Sequence, residues 1–191
     1  MALVLDALCT VDEVRAFAKL EILPDDDLLI ESLINSVTQT FKNYCNVKSF
    51  LTSTYTEYYD GMGDKFLYPK NGPISSVTLL ADDDDFVWGT DSTFESGEFR
   101  IIDAKGVYLL DDLFMNAISN VKITYTAGYD VVPDDLKQIA IIEVIRKYSH
   151  RRDFDVIRQT IGDQNTDYVD PGMLIETKQV LSYYCSFSFG V

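Results

Sequence analysis

Between Ser49 and Thr126 the chain carries β-branched and aromatic residues broken by Gly, Pro and Asp clusters, whereas both flanks space their apolar residues three and four apart. A period near 3.6 builds helices and the other texture builds strands and turns, so the middle of the chain cannot continue the fold of its ends. The order of textures predicts an α+β protein: a helical bundle of two N-terminal and two C-terminal helices with a central antiparallel β-rich insertion. The expected divisions are N-terminal helices over 1–48, a β-rich region over 49–126, C-terminal helices over 127–184 and an extended tail over 185–191.

Helix ends are marked by their chemistry. Thr10-Val-Asp-Glu13 fits a capping box and predicts a short helix through about Leu20. Asp25 to Asp27 favour the positive end of a second helix running to about Cys45, with Ile30, Leu33, Ile34, Val37, Phe41, Tyr44 and Cys45 on its core face. Pro133-Asp-Asp135 opens the most pronounced helix, expected to reach about Arg152. Leu136, Ile139, Ala140, Ile141, Ile142, Val144, Ile145 and Tyr148 are too many for one stripe, so more than one of its sides should be covered, and Glu143, Arg146, Lys147 and His150 form a polar row. Asp153 to Asp170 read as a loop. Asp170 as N-cap and Pro171 at the first helical position start a last helix to about Tyr184, with Met173, Leu174, Val180, Leu181 and Tyr184 on its apolar face.

In the middle region, Thr54 to Tyr59 and Lys65 to Tyr68 flank Asp60-Gly-Met-Gly-Asp64, which suits a hairpin. Further strands are expected at Ile74 to Leu80, Phe86 to Trp88, Phe99 to Ile102, Gly106 to Leu110 and Val121 to Tyr125. Short connections between consecutive strands favour antiparallel pairing.

Charge narrows the choice of partners. The 31 Asp and Glu residues against 16 Lys and Arg give a net charge of −15, and a chain so acidic repels duplex DNA unless its few basic residues gather on one face. No apolar run approaches the length of a membrane span, and Met-Ala-Leu-Val-Leu-Asp lacks the pattern of a secretory signal, so the expected compartment is the cytoplasm. Cys9, Cys45 and Cys185 are far apart and odd in number, which gives neither a disulfide framework nor a zinc motif; they read as small hydrophobes.

Catalytic and ligand chemistry find little footing. A triad would have to use His150, the single histidine, which stands among Arg146, Lys147, Arg151 and Arg152 with no nucleophile assigned to it. Asp111 with Asp112 and Asp134 with Asp135 are adjacent acids of the kind usually solvated. Asp82 to Asp85, with Asp91 and Glu95 nearby, supply oxygens for calcium but lack the spacing and glycine of an EF-hand loop, and a solvated turn accounts for them better. Gly61-Met-Gly63 has no third glycine where Phe66 stands and reads as a tight turn, not a phosphate cradle. The reading therefore assigns no enzyme activity, no cofactor and no metal.

Three segments carry a likeness. Ile123-Thr-Tyr-Thr-Ala-Gly-Tyr-Asp-Val-Val-Pro-Asp-Asp-Leu-Lys-Gln138, followed by a helix ending in Tyr148-Ser-His-Arg-Arg152, resembles the corresponding passage of head-tail connector (adaptor, or head completion) proteins of tailed bacteriophages. Upstream, the two helices, Tyr59-Asp-Gly61 and Pro73-Ile-Ser-Ser-Val77 are similar to that family in order; downstream, Ile161-Gly-Asp163, Tyr168 and a closing helix with Leu181 and Tyr183 are as well. The strand-rich middle is longer than in mostly helical members, and Cys185-Ser-Phe-Ser-Phe-Gly-Val191 stands where a basic ending is usual.

The resemblance implies a structural virion protein at the head-tail interface, assembled in the host cytoplasm. Its copies would form a ring, commonly of twelve, beneath the portal protein, joined to a stopper or tail protein and leaving a channel for double-stranded DNA that passes without tight binding. Candidate contacts with other copies or partners are Arg146, Arg151 and Arg152 at the end of the long helix, Ile161, Asp163 and Tyr168 beyond it, and Phe187 and Phe189 in the tail, where alternating apolar residues predict a strand able to join another sheet. The competing reading is a β-rich, calcium-dependent binding module using Asp82 to Glu95; a hydrolase built on paired carboxylates is a weaker rival.

Overall fold

The computed structural model describes residues 2–18, 26–150, 158–161, 164–167 and 172–185. The elements run α1 (Val11–Ala18), α2 (Asp27–Cys45), β1 (Ser53–Gly61), β2 (Phe66–Leu67), β3 (Ile74–Asp82), β4 (Phe99–Ile102), β5 (Gly106–Leu109), β6 (Ala117–Ala127), α3 (Asp134–Ser149), β7 (Arg158–Ile161), β8 (Gln164–Asp167) and α4 (Ile175–Ser182). This is the α+β order expected, helices at both ends and antiparallel strands between them. It divides into a helical unit, drawn from Met1–Asn46 and Val132–Cys185, and a β unit, Val47–Val131. No helix among the described residues is long and apolar enough to cross a membrane.

The helical unit is built around α3, which packs against α1, α2 and α4. The capping box at α1 forms as read: the Thr10 hydroxyl accepts the Glu13 N–H at 3.2 Å and the Glu13 carboxylate accepts the Thr10 N–H at 2.8 Å. Helix α2 ends on Asn46 in the left-handed conformation (φ 54°), a role asparagine fills at low cost. Its buried face is Ile30, Ile34, Val37, Thr38, Phe41 and Cys45; Tyr44, expected there, is exposed, and Thr38 takes its place on the buried arc. Helix α3 buries Leu136, Ile139, Ala140, Ile141, Val144 and Tyr148, so several of its sides are covered within the unit. It stops at Ser149, earlier than expected. Helix α4 begins at Ile175, so Met173 and Leu174 precede it; its predicted start at Asp170 and Pro171 lies outside the described residues.

In the β unit, β6 is the central strand of a sheet ordered β1-β6-β3, and a second sheet runs β2-β5-β4, every pair antiparallel. Along β6, Val121, Ile123, Tyr125 and Ala127 turn inward while Lys122, Thr124 and Thr126 face the other way. The inward set meets Tyr55, Leu67, Ile74, Leu80, Val107, Leu109 and Phe114 in one apolar cluster shared by both sheets. On the opposite face, hydroxyls pair across strands at Thr54–Thr126 and Thr56–Thr124.

Two strand expectations fail here. β1 and β2 do not form a hairpin, because β1 joins β6 and β2 joins β5. Phe86 to Trp88 is not a strand: two of its three residues, Phe86 (φ 59°) and Trp88 (φ 47°), are left-handed, so the segment is not extended. Phe99–Ile102 matches as read.

Candidate functional site

The helix-end residue Arg146 has a carboxylate partner from the same polar row of α3. Glu143 is 1% exposed. One carboxylate oxygen accepts both Nε and Nη2 of Arg146, at 3.0 and 2.8 Å; the other accepts the Leu174 N–H at 2.9 Å and the Thr177 hydroxyl at 3.0 Å. Leu174 is the N-cap of α4, so Glu143 supplies from another helix the acceptor that a capping side chain would normally provide. Arg146 also donates to the Gly172 carbonyl. The pair thus fixes the entry into α4 against the last turns of α3.

The remaining predicted contact residues are distributed differently. Ile161 closes β7, which pairs with β8 in a two-stranded hairpin. Arg151, Arg152, Asp163, Tyr168, Phe187 and Phe189 lie outside the described residues. His150 is the C-cap of α3.

In the β unit, three connections converge at the end of the sheet where β1 and β3 finish and β6 begins. Asn120, fully buried, accepts the Gly61 N–H at 2.8 Å and donates to Asp82 and to the Met115 carbonyl; Asp82 in turn accepts the Met115 N–H at 2.6 Å. Burial raises the Asp82 pKa above the ordinary carboxylate range, more than these donated bonds lower it. Gly61 is required: a Cβ there would stand 1.9 Å from the Met115 carbonyl oxygen. This clamp holds loops whose apolar side chains face outward, Met62 (73% exposed), Val87 (76%) and Ile118 (77%) with Phe86, Leu113 and Met115. Lys122 lies over the rings of Tyr58 and Trp88 beside them. Sequence reading missed this surface, because its members come from loops that only the clamp brings together.

The Asp82 to Asp85 run is a turn organised from within. Asp83 accepts the backbone N–H groups of Asp85 and Trp88 and the Ser92 hydroxyl, and these bonds hold its pKa below the ordinary value. Asp83, Asp84 and Asp85 bring carboxylate oxygens near one another, but Asp82 is spent on the clamp.

A second buried carboxylate of the β unit, Glu57, accepts Lys48 Nζ at 2.9 Å, the hydroxyls of Tyr59 and Tyr125 at 2.6 and 2.7 Å, and Asn71 Nδ2 at 3.1 Å. Burial alone would raise its pKa; the bonds from Lys48, Tyr59 and Tyr125 together outweigh it and hold the carboxyl below its ordinary value. Burial pushes the Tyr125 and Tyr59 hydroxyls well above the usual phenol range, so both stay protonated as donors. The network ties the 68–73 connection, through the Asn71 N–H on Tyr125 and the Lys70 N–H on Tyr59, to β6 and β1.

Buried polar groups join elements within each unit and apolar loops are held outward in the β unit, in a fold of α+β type. The family model of head completion proteins matches residues 7–182; the chain belongs to that family and is a structural head-tail component, from a family of virion proteins and not of enzymes. Among solved structures, a chain in the neck of an empty gene transfer agent particle, computed with C6 symmetry, is similar with a TM-score of 0.61 at 15% identity, over 95% of this chain and 92% of that one. A chain in the neck of the native particle, computed with C12 symmetry, gives 0.60 at 14% identity over 100% and 95%, and one in the virion of the native particle gives the same values. At such identities the likeness is one of fold. A comparison with curated proteins gives no match.

Proposed function

We propose that this chain is the ring-forming adaptor of a tailed particle, docked at the head-tail interface beneath the portal protein, joined below to a stopper or tail protein and enclosing a channel for double-stranded DNA. The observation that carries the reading is the fold match along the whole chain to a neck component computed with twelvefold symmetry, in a chain of the head completion family. The twelvefold symmetry of that neck supports a ring of twelve copies. In this reading the Glu143–Arg146 pair positions the segment after α3, where Arg151, Arg152, Ile161, Asp163 and Tyr168 make contacts between copies. Phe187 and Phe189 serve the handover to the next component. The apolar loop end of the β unit, whose connections also carry Asp60, Asp64, Asp83 and Asp112, is suited to a partner that is apolar with basic flanks. Light scattering of the purified chain, alone and mixed with its portal protein, tests this. A ring, or a complex with the portal at a fixed multiple of this chain, is expected; a monomer that leaves the portal unbound at micromolar concentration refutes it.

A further inference from the structure

Two of the three cysteines, 140 residues apart in sequence, meet in the helical unit. Cys45 is the last residue of α2 and Cys185 follows the end of α4, and their sulfurs stand 3.2 Å apart. Both thiols donate to one acceptor, the Leu181 carbonyl, at 3.4 Å from Cys45 and 3.2 Å from Cys185, so the two side chains are aimed into the same space from two helices. Cys45 is buried and Cys185 is half-buried, and neither is in a disulfide. Cys9, the third, is buried and takes no part in this contact.

We propose that Cys45 and Cys185 are a disulfide-forming site, reduced while the chain is made and closed by a disulfide oxidant to staple the end of α4 to the end of α2. With oxidised glutathione as the oxidant, the Cys185 thiolate attacks one glutathione sulfur and expels a glutathione thiolate, leaving a mixed disulfide. The Cys45 thiolate then attacks Cys185 Sγ, the mixed bond breaks, and the second glutathione leaves. Two cysteine thiols are oxidised, one glutathione disulfide is reduced to two thiols, and the two protons lost by the cysteines end on the departing glutathiones. Cys185 reacts first because it is the accessible one. Burial, with Cys185 beside it, raises the Cys45 thiol far above the usual range, so closure is slow at neutral pH and accelerates as pH rises.

The bond would close a loop spanning both sequence halves of the helical unit, which is where a cross-link restricts the unfolded chain most. Its physiological use rests on the adaptor reading. A particle assembled in a reducing cytoplasm and released into an oxidising medium would be locked after assembly. The chemistry itself needs only the isolated chain, so its failure and the failure of the adaptor reading are separable.

The test takes the full-length chain, purified under reductant, into an oxidised glutathione buffer at pH 8, followed by alkylation, intact mass and peptide mapping. Expected are one alkylated cysteine instead of three, a Cys45 peptide linked to a Cys185 peptide, and a melting midpoint raised by about 5–10 °C and restored by dithiothreitol. Cys185→Ser should abolish both the link and the rise; Cys45→Ala should do the same, so one misfolded variant does not remove the control. Three alkylated thiols at equilibrium, a glutathione adduct that never resolves, disulfide-linked dimers, or a linked pair with an unchanged melting midpoint would each overturn the proposal.

Discussion

Glu143 belongs to a row of charged side chains on α3 that helical periodicity assigns to solvent, and the structure buries it instead. The reason is tertiary. Four hydrogen bonds, two from Arg146, one from the Leu174 N–H and one from Thr177, replace the water the carboxylate gives up. Nothing within the helix sequence announces that a later segment will bring an uncapped N-terminus to this spot. Removing one partner leaves a buried charge behind, so Glu143→Ala should lower stability by about 3 kcal/mol or more in urea unfolding. Arg146→Ala should also destabilise, and the double variant should cost clearly less than the sum of the two single changes. Strict additivity would show that the two side chains do not act as a pair. Gly61 was legible only as a turn residue; its need for close approach to Met115 depends on a carbonyl 54 positions further along the chain (115 − 61).

Elements were legible where their signals are local. The Thr10–Glu13 capping box and the acidic first turn of α3 each lie within a few residues and form where read, and β4 spans the predicted Phe99–Ile102. Pairing partners were not legible, because turn chemistry such as Asp60-Gly-Met-Gly-Asp64 sets a local bend and says nothing about which sheet the next strand joins. The same limit hid the Cys45–Cys185 contact, between the ends of two helices separated by the whole β unit. Strand β1 shows what such long-range assembly does to a titratable group. Glu57 turns inward on the same face as Tyr55, and its carboxylate is the acceptor on which β1, Asn71 and Tyr125 converge. Its folded pKa lies below the unfolded value, so its stabilising contribution is fully present above the ordinary carboxylate pKa and is lost as pH falls through the folded value. Melting midpoints from pH 7 down to pH 3 should therefore fall, and Glu57→Gln should be less stable at pH 7 but lose less on acidification. Asp82 works in the opposite sense, since its raised pKa makes acid relieve a burial cost, and it is common to both proteins compared. Parallel pH profiles for the two would remove Glu57 from the account.

At the scale of the whole chain, the β unit is a continuous insertion whose entry and exit run side by side. Leu51 bridges Tyr129 in parallel, with the Thr52 N–H on the Tyr129 carbonyl and the Tyr129 N–H on the Phe50 carbonyl, so the strands leaving and rejoining the helical sequence are tied together at their base. Gly128, at φ 115°, makes that closeness possible; a Cβ there would meet the Leu51 carbonyl oxygen at 2.5 Å. The connections of this insertion are acidic: Asp60, Asp64, Asp83, Asp84, Asp85, Asp111 and Asp112 all belong to connections at the clamped end of the sheet or beside it. Basic residues are concentrated elsewhere in the sequence, from Arg146 to Arg158, and the first of them is already held by Glu143. Affinity for duplex DNA comes mainly from cations that displace condensed counterions, and a chain of net charge −15 has few to offer. If the chain lines a DNA channel, as proposed above, this is an advantage, because a wall that gripped phosphates would retard the duplex it must let through. The purified chain should consequently bind random duplex DNA with a dissociation constant weaker than about 10 μM at 150 mM salt, measured by fluorescence anisotropy. Lowering the salt should change that little. Submicromolar binding that weakens steeply as salt is added would mean that the basic segment is gathered on one face and grips DNA, and the sliding-channel argument would then fail.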